Sequence, residues 1–442
     1  VRTDAETLEK YKTDEETDPR YHHLPEVVVW PGSTEEVAAV MKIANRYNVP
    51  VTPRSAGTSV SCGAIPVYGG IVLLLERMDK IEELNTEGMY MVVEAGARTV
   101  EIQEKANAAG FLYAGDPCSA DSCLIGGNIA TNAGGNKAVR YGTTRDQVYA
   151  IEAVTPTGDI VNVGARLKKK STGYCLEQLI MGSEGTLGII TKATLKLLPL
   201  CPYKLDLLAI FTDLDKAVGL VPNLIKAGLN PTSVEFMDNA FVRSSSDYCE
   251  LKLPHYEDGF YVIVTVETFN EDELESKMEQ LDEICSASGA TDVLEADDRV
   301  WKLRRNCLES TRVLSLVSTS DDLVVPVDQI ANCIRHLTKV AENYSFKLFT
   351  LAHAGDGNLH FQILKGEMSD EQWEDEVSRF HAEAYPYVYS LGGRLSGEHG
   401  IGAKKVEAME KYTEPVEMKM MKEIKRALDP KNILNPGKVF NA

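Results

Sequence analysis

No uncharged apolar run in this chain approaches the ~18 residues that a membrane span needs. The greasiest stretches, "GGIVLLLERM" and "FYVIVTVETF", read as buried strands. Neither the G-x-G-x-x-G fingerprint of nicotinamide dinucleotides nor the phosphate-loop G-x-x-x-x-G-K-[ST] occurs. Cysteine is present but without a framework: nine thiols, an odd number, are scattered along the chain. Cys118 and Cys123 have no other cysteine near them, which is neither a zinc nor an iron–sulfur pattern. Unpaired thiols in a long acidic chain point to a reducing cytoplasm. If this protein handles electrons, they enter or leave without an iron–sulfur cluster of its own. Positive charge is scarce too. The formal net charge is −20, which does not suit nucleic acid but could steer a basic partner. "RLKKK" at 166–170 is a short exception and reads as a solvated loop. There is no internal repeat and no low-complexity segment.

A chain of 442 residues exceeds one ordinary core and predicts two or three domains. Up to about residue 205, short β-type runs mix with glycine-rich turns and a few helices. "EEVAAVMKIANRYN" is an amphipathic helix with Ser33 or Thr34 as its cap, and "MYMVVEAGA" followed by "TVEIQEKANAAG" is a strand and a helix ending at glycine. From about 206 to 410, strand-like "KLDLLAIFTD" and "FYVIVTVETF" alternate with helix-like "LDKAVGLVPNLIKAG" and "EDELESKMEQLDEICSASG". That pattern predicts an α+β domain with a helix-covered sheet. The last segment, 411–442, is helical until Pro430 and Pro436 force a loop.

Three glycine-rich loops follow in order in the first region: "PRSAGTSVSCGAIP" (53–66), "GDPCSADSCLIGGNIATNAGG" (115–135) and "GSEGTLGII" (182–190). Small residues let backbone N–H groups approach phosphate oxygens closely. Singly each could be a set of turns. Together they favour a large phosphate-bearing cofactor.

In this order the three loops resemble those of the vanillyl-alcohol-oxidase/PCMH flavoprotein superfamily, and most of all its FAD-dependent D-2-hydroxyacid dehydrogenase branch, the D-lactate, glycolate and D-2-hydroxyglutarate enzymes. The resemblance runs from "PEVVVWPGSTEEVAAVMKIAN" to "ALDPKNILNPGKVF". It implies an α+β fold: a two-subdomain PCMH-type FAD-binding domain at 1–205, a substrate (cap) domain with an antiparallel sheet at 206–410, and a segment at 411–442 that returns to the FAD domain. It places FAD on Arg54, Ser55, Ala56, Gly57, Thr58 and Ser59 of the first loop. On the second it places FAD on Pro117, Ser119, Ser122, Gly126, Gly127, Asn128, Ala130, Thr131 and Asn132. Glu184, Gly188 and Ile190 of the third loop and Asn435 of the tail complete the expected set. Relatives that attach FAD covalently use a His or Cys in the first loop. Here the segment reads Ser55-Ala56-Gly57-Thr58-Ser59, so non-covalent FAD is expected. Cys62 nearby reads as a small buried thiol.

"LAHAGDGNLHFQIL" (351–364) carries two histidines on either side of a turn. Asp356-Gly357 is a two-residue hairpin signal, and a type I′ turn there sets His353 directly opposite His360. Opposed residues share a face, with Cβ atoms ~4.5–5.5 Å apart. Two imidazoles so placed can hold one divalent metal, or they can be core histidines bonded to the backbone. "GGRLSGEHGIG" (392–402) adds Glu398 and His399, and a carboxylate would complete a two-His, one-carboxylate set. The resemblance implies a divalent metal (Zn, Fe or Mn) on His353, His360 and Glu398, with His399 as the acid/base. Since Glu398 and His399 are adjacent, these separate roles require diverging side chains. "WKLRRNCLEST" (301–311) supplies Arg304 and Arg305, and Arg304 matches the family's carboxylate clamp.

The implied reaction is oxidation of a D-2-hydroxy acid to a 2-oxo acid, with hydride passing to FAD. There is one departure. The hydroxyglutarate enzymes carry a lysine where this chain, "STSDDLVVP", has Ser320. That points to a small substrate, D-lactate first and glycolate or another D-2-hydroxy acid second. A non-catalytic flavin electron-relay subunit and an O₂-using oxidase are the competing readings. Electron-transferring flavoprotein or an iron–sulfur subunit is the implied electron-accepting partner.

Overall fold

The computed structural model describes residues 1–16 and 18–442. The chain divides into two compact units, the first made of Val1–Gly135, Tyr141–Leu200 and Glu398–Ala442, the second of Asn136–Arg140 and Cys201–Gly397.

The first unit contains two larger sheets. Strands β1 (Val27–Val29), β2 (Val51–Arg54) and β3 (Ile71–Leu74) form a parallel sheet in the order β1-β3-β2. The second is antiparallel, ordered β4-β5-β9-β7-β8, with β4 at Ile81–Asn85, β5 at Tyr90–Glu94, β7 at Val148–Val154, β8 at Ile160–Gly164 and β9 at Ile189–Lys196. Two-residue strands β6 (Phe111–Leu112) and β10 (Leu198–Pro199) pair separately. The helix Thr34–Tyr47 starts where the Ser33 hydroxyl accepts the Glu36 N–H at 3.3 Å, and ends with Asn48 in a left-handed conformation. Its buried Val37, Ala38, Met41 and Ala44 recur at helical spacing and pack on Val51, Ile71 and Leu73.

The tail is fastened to this unit by one buried ion pair. Lys425 Nζ, at the end of helix Pro415–Leu428, donates to Asp429 Oδ2 at 2.6 Å and to the carbonyls of Thr186 (2.9 Å) and Leu434 (2.8 Å). Asp429 in turn accepts the N–H groups of Ile433 and Leu434. The loop so shaped runs beside β2, where Val51 N–H donates to Ile433 O and Asn435 N–H to Val51 O, both at 2.7 Å. The return to the first unit begins at Glu398 rather than at 411. The physical reason is Glu184, whose buried carboxylate accepts the N–H groups of Ile401 (2.8 Å) and Gly402 (2.7 Å).

The second unit is built on a seven-stranded antiparallel sheet ordered β14-β11-β13-β12-β16-β17-β15. Its strands are β11 (Tyr203–Phe211), β12 (Ser233–Met237), β13 (Phe260–Thr268), β14 (Asp292–Glu295), β15 (Ser318–Val324), β16 (Lys347–His353) and β17 (Asn358–Leu364). Met237, Phe349 and Leu351 on one face pack against Phe241 and Val242 of helix Asn239–Cys249. The same core takes in Val300 and Leu303 of Asp298–Arg305 and Cys307 of Cys307–Leu314. The side chains of His353 and His360 belong to that face, as the register below shows. Among the described residues no helix is long and apolar enough to cross a membrane, and all nine thiols are free.

Asp429→Ala should strand the Lys425 ammonium and free two loop N–H groups. Breaking a buried pair typically costs about 3–5 kcal/mol, and denaturant unfolding at neutral pH should show a loss of that order, whereas Lys419→Ala, an exposed pair member, should change stability by less than about 1 kcal/mol.

Candidate functional site

In the first unit a cavity of about 280 Å³ opens beyond the end of β2. Arg54–Ser59, Pro117–Ser119, part of the helix Ile125–Thr131, Glu184, Gly188 and Ile190 line it, as do Glu398 and His399. The N–H groups of Ser55, Ala56, Gly57 and Thr58 donate to no protein acceptor among the described residues, and neither do those of Cys118 and Ser119. These residues are half-buried or exposed and line one cavity, and two runs of backbone donors in its wall suit an anionic diphosphate. Gly57 is at φ +80°, and a Cβ there would lie 2.2 Å from Arg54 Nη2, so any larger residue would be strained here and would have to displace the Arg54 guanidinium. The Arg54 guanidinium packs against the loop backbone at Gly57 and is held there by donating to Thr13 O at 2.6 Å and by lying over the Tyr11 ring.

Sixteen of the nineteen residues expected to touch the cofactor line this cavity: Arg54, Ser55, Ala56, Gly57, Thr58, Ser59, Pro117, Ser119, Gly126, Gly127, Asn128, Ala130, Thr131, Glu184, Gly188 and Ile190. The other three, Ser122, Asn132 and Asn435, are not among its lining residues. Ser122 Oγ donates to Ser119 O, Asn132 Oδ1 accepts from Thr143 and Arg145, and Asn435 Nδ2 donates to Glu184 O at 2.7 Å. These bonds brace the loops that line the cavity. Cys62 is fully buried, and burial pushes its thiol up to about 12, which leaves it inert.

In the second unit the histidine hairpin differs from the two-residue turn expected. The loop is Ala354–Gly357, and the register pairs His353 with Asn358 and Leu351 with His360. Asp356 keeps a negative φ, which rules out type I′; instead its N–H donates to His353 O at 3.2 Å and its side chain accepts the Asn358 N–H. Only Gly357 turns left-handed, at φ +88°, pressed against the Val325 carbonyl. The two histidines are therefore diagonal neighbours rather than direct partners. A shift of two residues preserves the face, and their ring centroids lie 5.3 Å apart at 89°.

Sequence reasoning missed the residue that organises this face. Glu235, in the middle of β12, is opposite His353 and fully buried. Its Oε1 is 2.8 Å from His353 Nδ1, and its Oε2 accepts from Arg304 Nε (3.0 Å) and Nη2 (2.6 Å). Burial pushes the carboxyl up, but His353 and Arg304 outweigh it and hold it at about 2. An ionised carboxylate only accepts, so His353 carries a proton on Nδ1, and that bond fixes which ring edge faces Glu235. Arg304 thus has one edge of its guanidinium fixed by protein, while Arg305 is exposed. A clue lay in "SVEFM", where one acid interrupts a strand that is buried at every position.

Asp322 and Asn358 also escaped notice. Asp322 pairs with His360 across β15 and β17 and is fully buried, accepting from Asn358 Nδ2 (2.7 Å), Ser396 Oγ (2.6 Å) and Gly397 N–H (3.1 Å). Ser320 is two residues along the same face, opposite Gln362. Asp321 points the other way, to His381 and Tyr385. Glu398 and His399 belong to the first unit. Their side chains do not diverge: His399 Nε2 is 3.6 Å from Glu398 Oε1, while the His399 carbonyl accepts from Ser61 Oγ at 2.9 Å.

Comparison with known proteins gives a consistent result. The FAD binding domain family matches residues 25–164, and the C-terminal domain family of FAD linked oxidases matches residues 204–439. A D-lactate dehydrogenase of Anaerostipes hadrus is 37% identical over 425 residues, covering 94% of this chain and 89% of its own. The glycolate oxidase subunit GlcD of Bacillus subtilis is 35% identical, covering 96% and 90%. Among solved structures, p-cresol methylhydroxylase superposes with a TM-score of 0.81 at 17% identity over 99% of this chain and 93% of that one, a likeness of fold.

With no histidine in the first loop and Cys62 buried, acid or heat should release flavin from the purified protein. Yellow colour remaining with the denatured polypeptide would contradict a non-covalent site.

Proposed function

The chain belongs to the FAD-linked oxidase family, and from that premise we propose that it oxidises a small D-2-hydroxy acid, D-lactate to pyruvate first and glycolate second. Bound FAD supplies the hydride acceptor in such chemistry. The single observation that carries the proposal is the polar face of the second unit, where His353, its nitrogen assignment fixed by Glu235, lies beside His360 with Arg304 on the same carboxylate.

His353, His360 and Glu398 are the residues we assign to a divalent metal, of the Zn, Fe or Mn type. Imidazole and carboxylate donors suit those ions, and such an ion lowers the pKa of a hydroxyl it binds. Arg304 holds the substrate carboxylate, because a guanidinium matches it in charge and shape. His399 takes the hydroxyl proton as C2 loses hydride, a role that imidazole fills near neutral pH, and with its Nε2 3.6 Å from Glu398 Oε1 the two act side by side on one hydroxyl rather than from diverging directions. Ser320 offers no charge for a second carboxylate, which disfavours 2-hydroxyglutarate. Presence of all five polar residues together speaks against a purely electron-relaying subunit. In keeping with a chain that has no nicotinamide motif and no cluster ligands, electrons leave to a partner protein, an electron-transferring flavoprotein or an iron–sulfur subunit.

Anaerobic stopped-flow tests this reading. D-Lactate should bleach the flavin, L-lactate should not, and 2-hydroxyglutarate should be poor. In the same assay His399→Ala should slow reduction by roughly 10²–10⁴ without loss of FAD. Equal reduction by both lactate enantiomers, or by 2-hydroxyglutarate, would contradict it.

A further inference from the structure

Glu235 has two oxygens and three N–H donors aimed at them. Oε1 takes His353 Nδ1, and Oε2 takes both Nε and Nη2 of Arg304. Glu235 is on β12, His353 on β16, and Arg304 near the end of the helix Asp298–Arg305, so three separate elements converge on one carboxylate. Its exposure is nil, that of the His353 side chain is 3% and that of Arg304 is 15%. We propose that Glu235 is a positioning residue that couples the two ends of the hydroxy-acid site, one oxygen fixing the tautomer and aim of His353, the other fixing the aim of Arg304.

The chemistry of the side chain makes this specific. A glutamine in the same place has one acceptor oxygen and one NH₂ donor, so it can satisfy the imidazole or the guanidinium but must point a donor at the other. An aspartate is one methylene shorter and cannot reach partners on two elements at once. Metal-binding histidines are oriented by a carboxylate on the ring nitrogen away from the ion, and loss of that partner typically weakens metal affinity about 10–100-fold. The unusual feature here is that the same carboxylate also carries the arginine. A disturbance on the arginine side should therefore be felt at the metal, although arginine is not a metal ligand.

The inference rests on the function proposed above, and the test separates the two. Flavin-loaded, metal-stripped protein is dialysed against buffered Zn²⁺ or Mn²⁺, and KM and kcat for D-lactate are measured at saturating metal. For Glu235→Gln the metal dissociation constant should rise about 10–100-fold and KM should rise roughly tenfold or more, with FAD content unchanged. Arg304→Lys alone should also weaken metal binding, and in the E235Q background it should add nothing, since the coupling is already cut. This second variant keeps the test decisive if E235Q folds poorly. A merely structural ion pair would lower the melting temperature while leaving the metal constant and KM unmoved, and that result would overturn the proposal. Additive effects of the two substitutions on metal binding would overturn it as well. Failure of the unsubstituted protein to bind either ion would instead sink the metal assignment itself, and the coupling with it.

Discussion

A carboxylate with no exposure to water costs several kcal/mol unless its lone pairs are filled, and among the described residues Glu235 meets that condition through His353 and Arg304. This constraint orders the second unit. The register of β12 against β16 brings Glu235 opposite His353, and the register of β16 against β17 then carries His360 to the same face. Helix Asp298–Arg305 packs through Val300 and Leu303 on the apolar half of that face, which leaves Arg304 to complete the carboxylate. Apolar packing sets the helix, and the ion pair sets the side chains.

The first unit meets a different need. Its site is made of backbone more than of side chains. The loops 55–58 and 118–119 leave N–H groups without protein acceptors, and such groups are tolerated only where water or a ligand fills them. The third loop of the cavity wall is fastened from behind. Asn435 and Glu184 tie the tail to the third glycine loop, and the Lys425–Asp429 pair shapes the tail that supplies Asn435. The Lys425–Asp429 pair thus braces the third glycine loop directly, through the Thr186 carbonyl, and through the tail it shapes.

Much of this was legible in the sequence. The three glycine loops mark the cavity wall because small residues and hydroxyls leave a recognisable trace. The amphipathic helix over 34–47 was read from its apolar spacing and its serine cap. The face shared by His353 and His360 was read correctly from period two, although the turn was not, because Asp-Gly fits a four-residue loop with one left-handed glycine as well as a two-residue one. Glu235 and Asp322 were not legible as site residues. Each is a lone acid in a strand, and its meaning depends on neighbours 118 residues away for Glu235 and 36 for Asp322. Long-range pairing of that kind follows from sheet order, which local pattern does not encode. The same holds for Glu398 and His399, whose side chains meet at 3.6 Å where adjacency in sequence suggested opposite directions.

The central claim is that oxidation of the hydroxy acid needs a divalent ion on the histidines of the second unit. It is tested most directly by stripping the purified flavoprotein with a chelator, quantifying residual metal, and following anaerobic flavin reduction by D-lactate before and after one equivalent of Zn²⁺, Fe²⁺ or Mn²⁺ is returned. Reduction should fall in step with metal content while FAD stays bound, and one of the ions should restore it. Reduction at the full rate in metal-free protein would contradict the account.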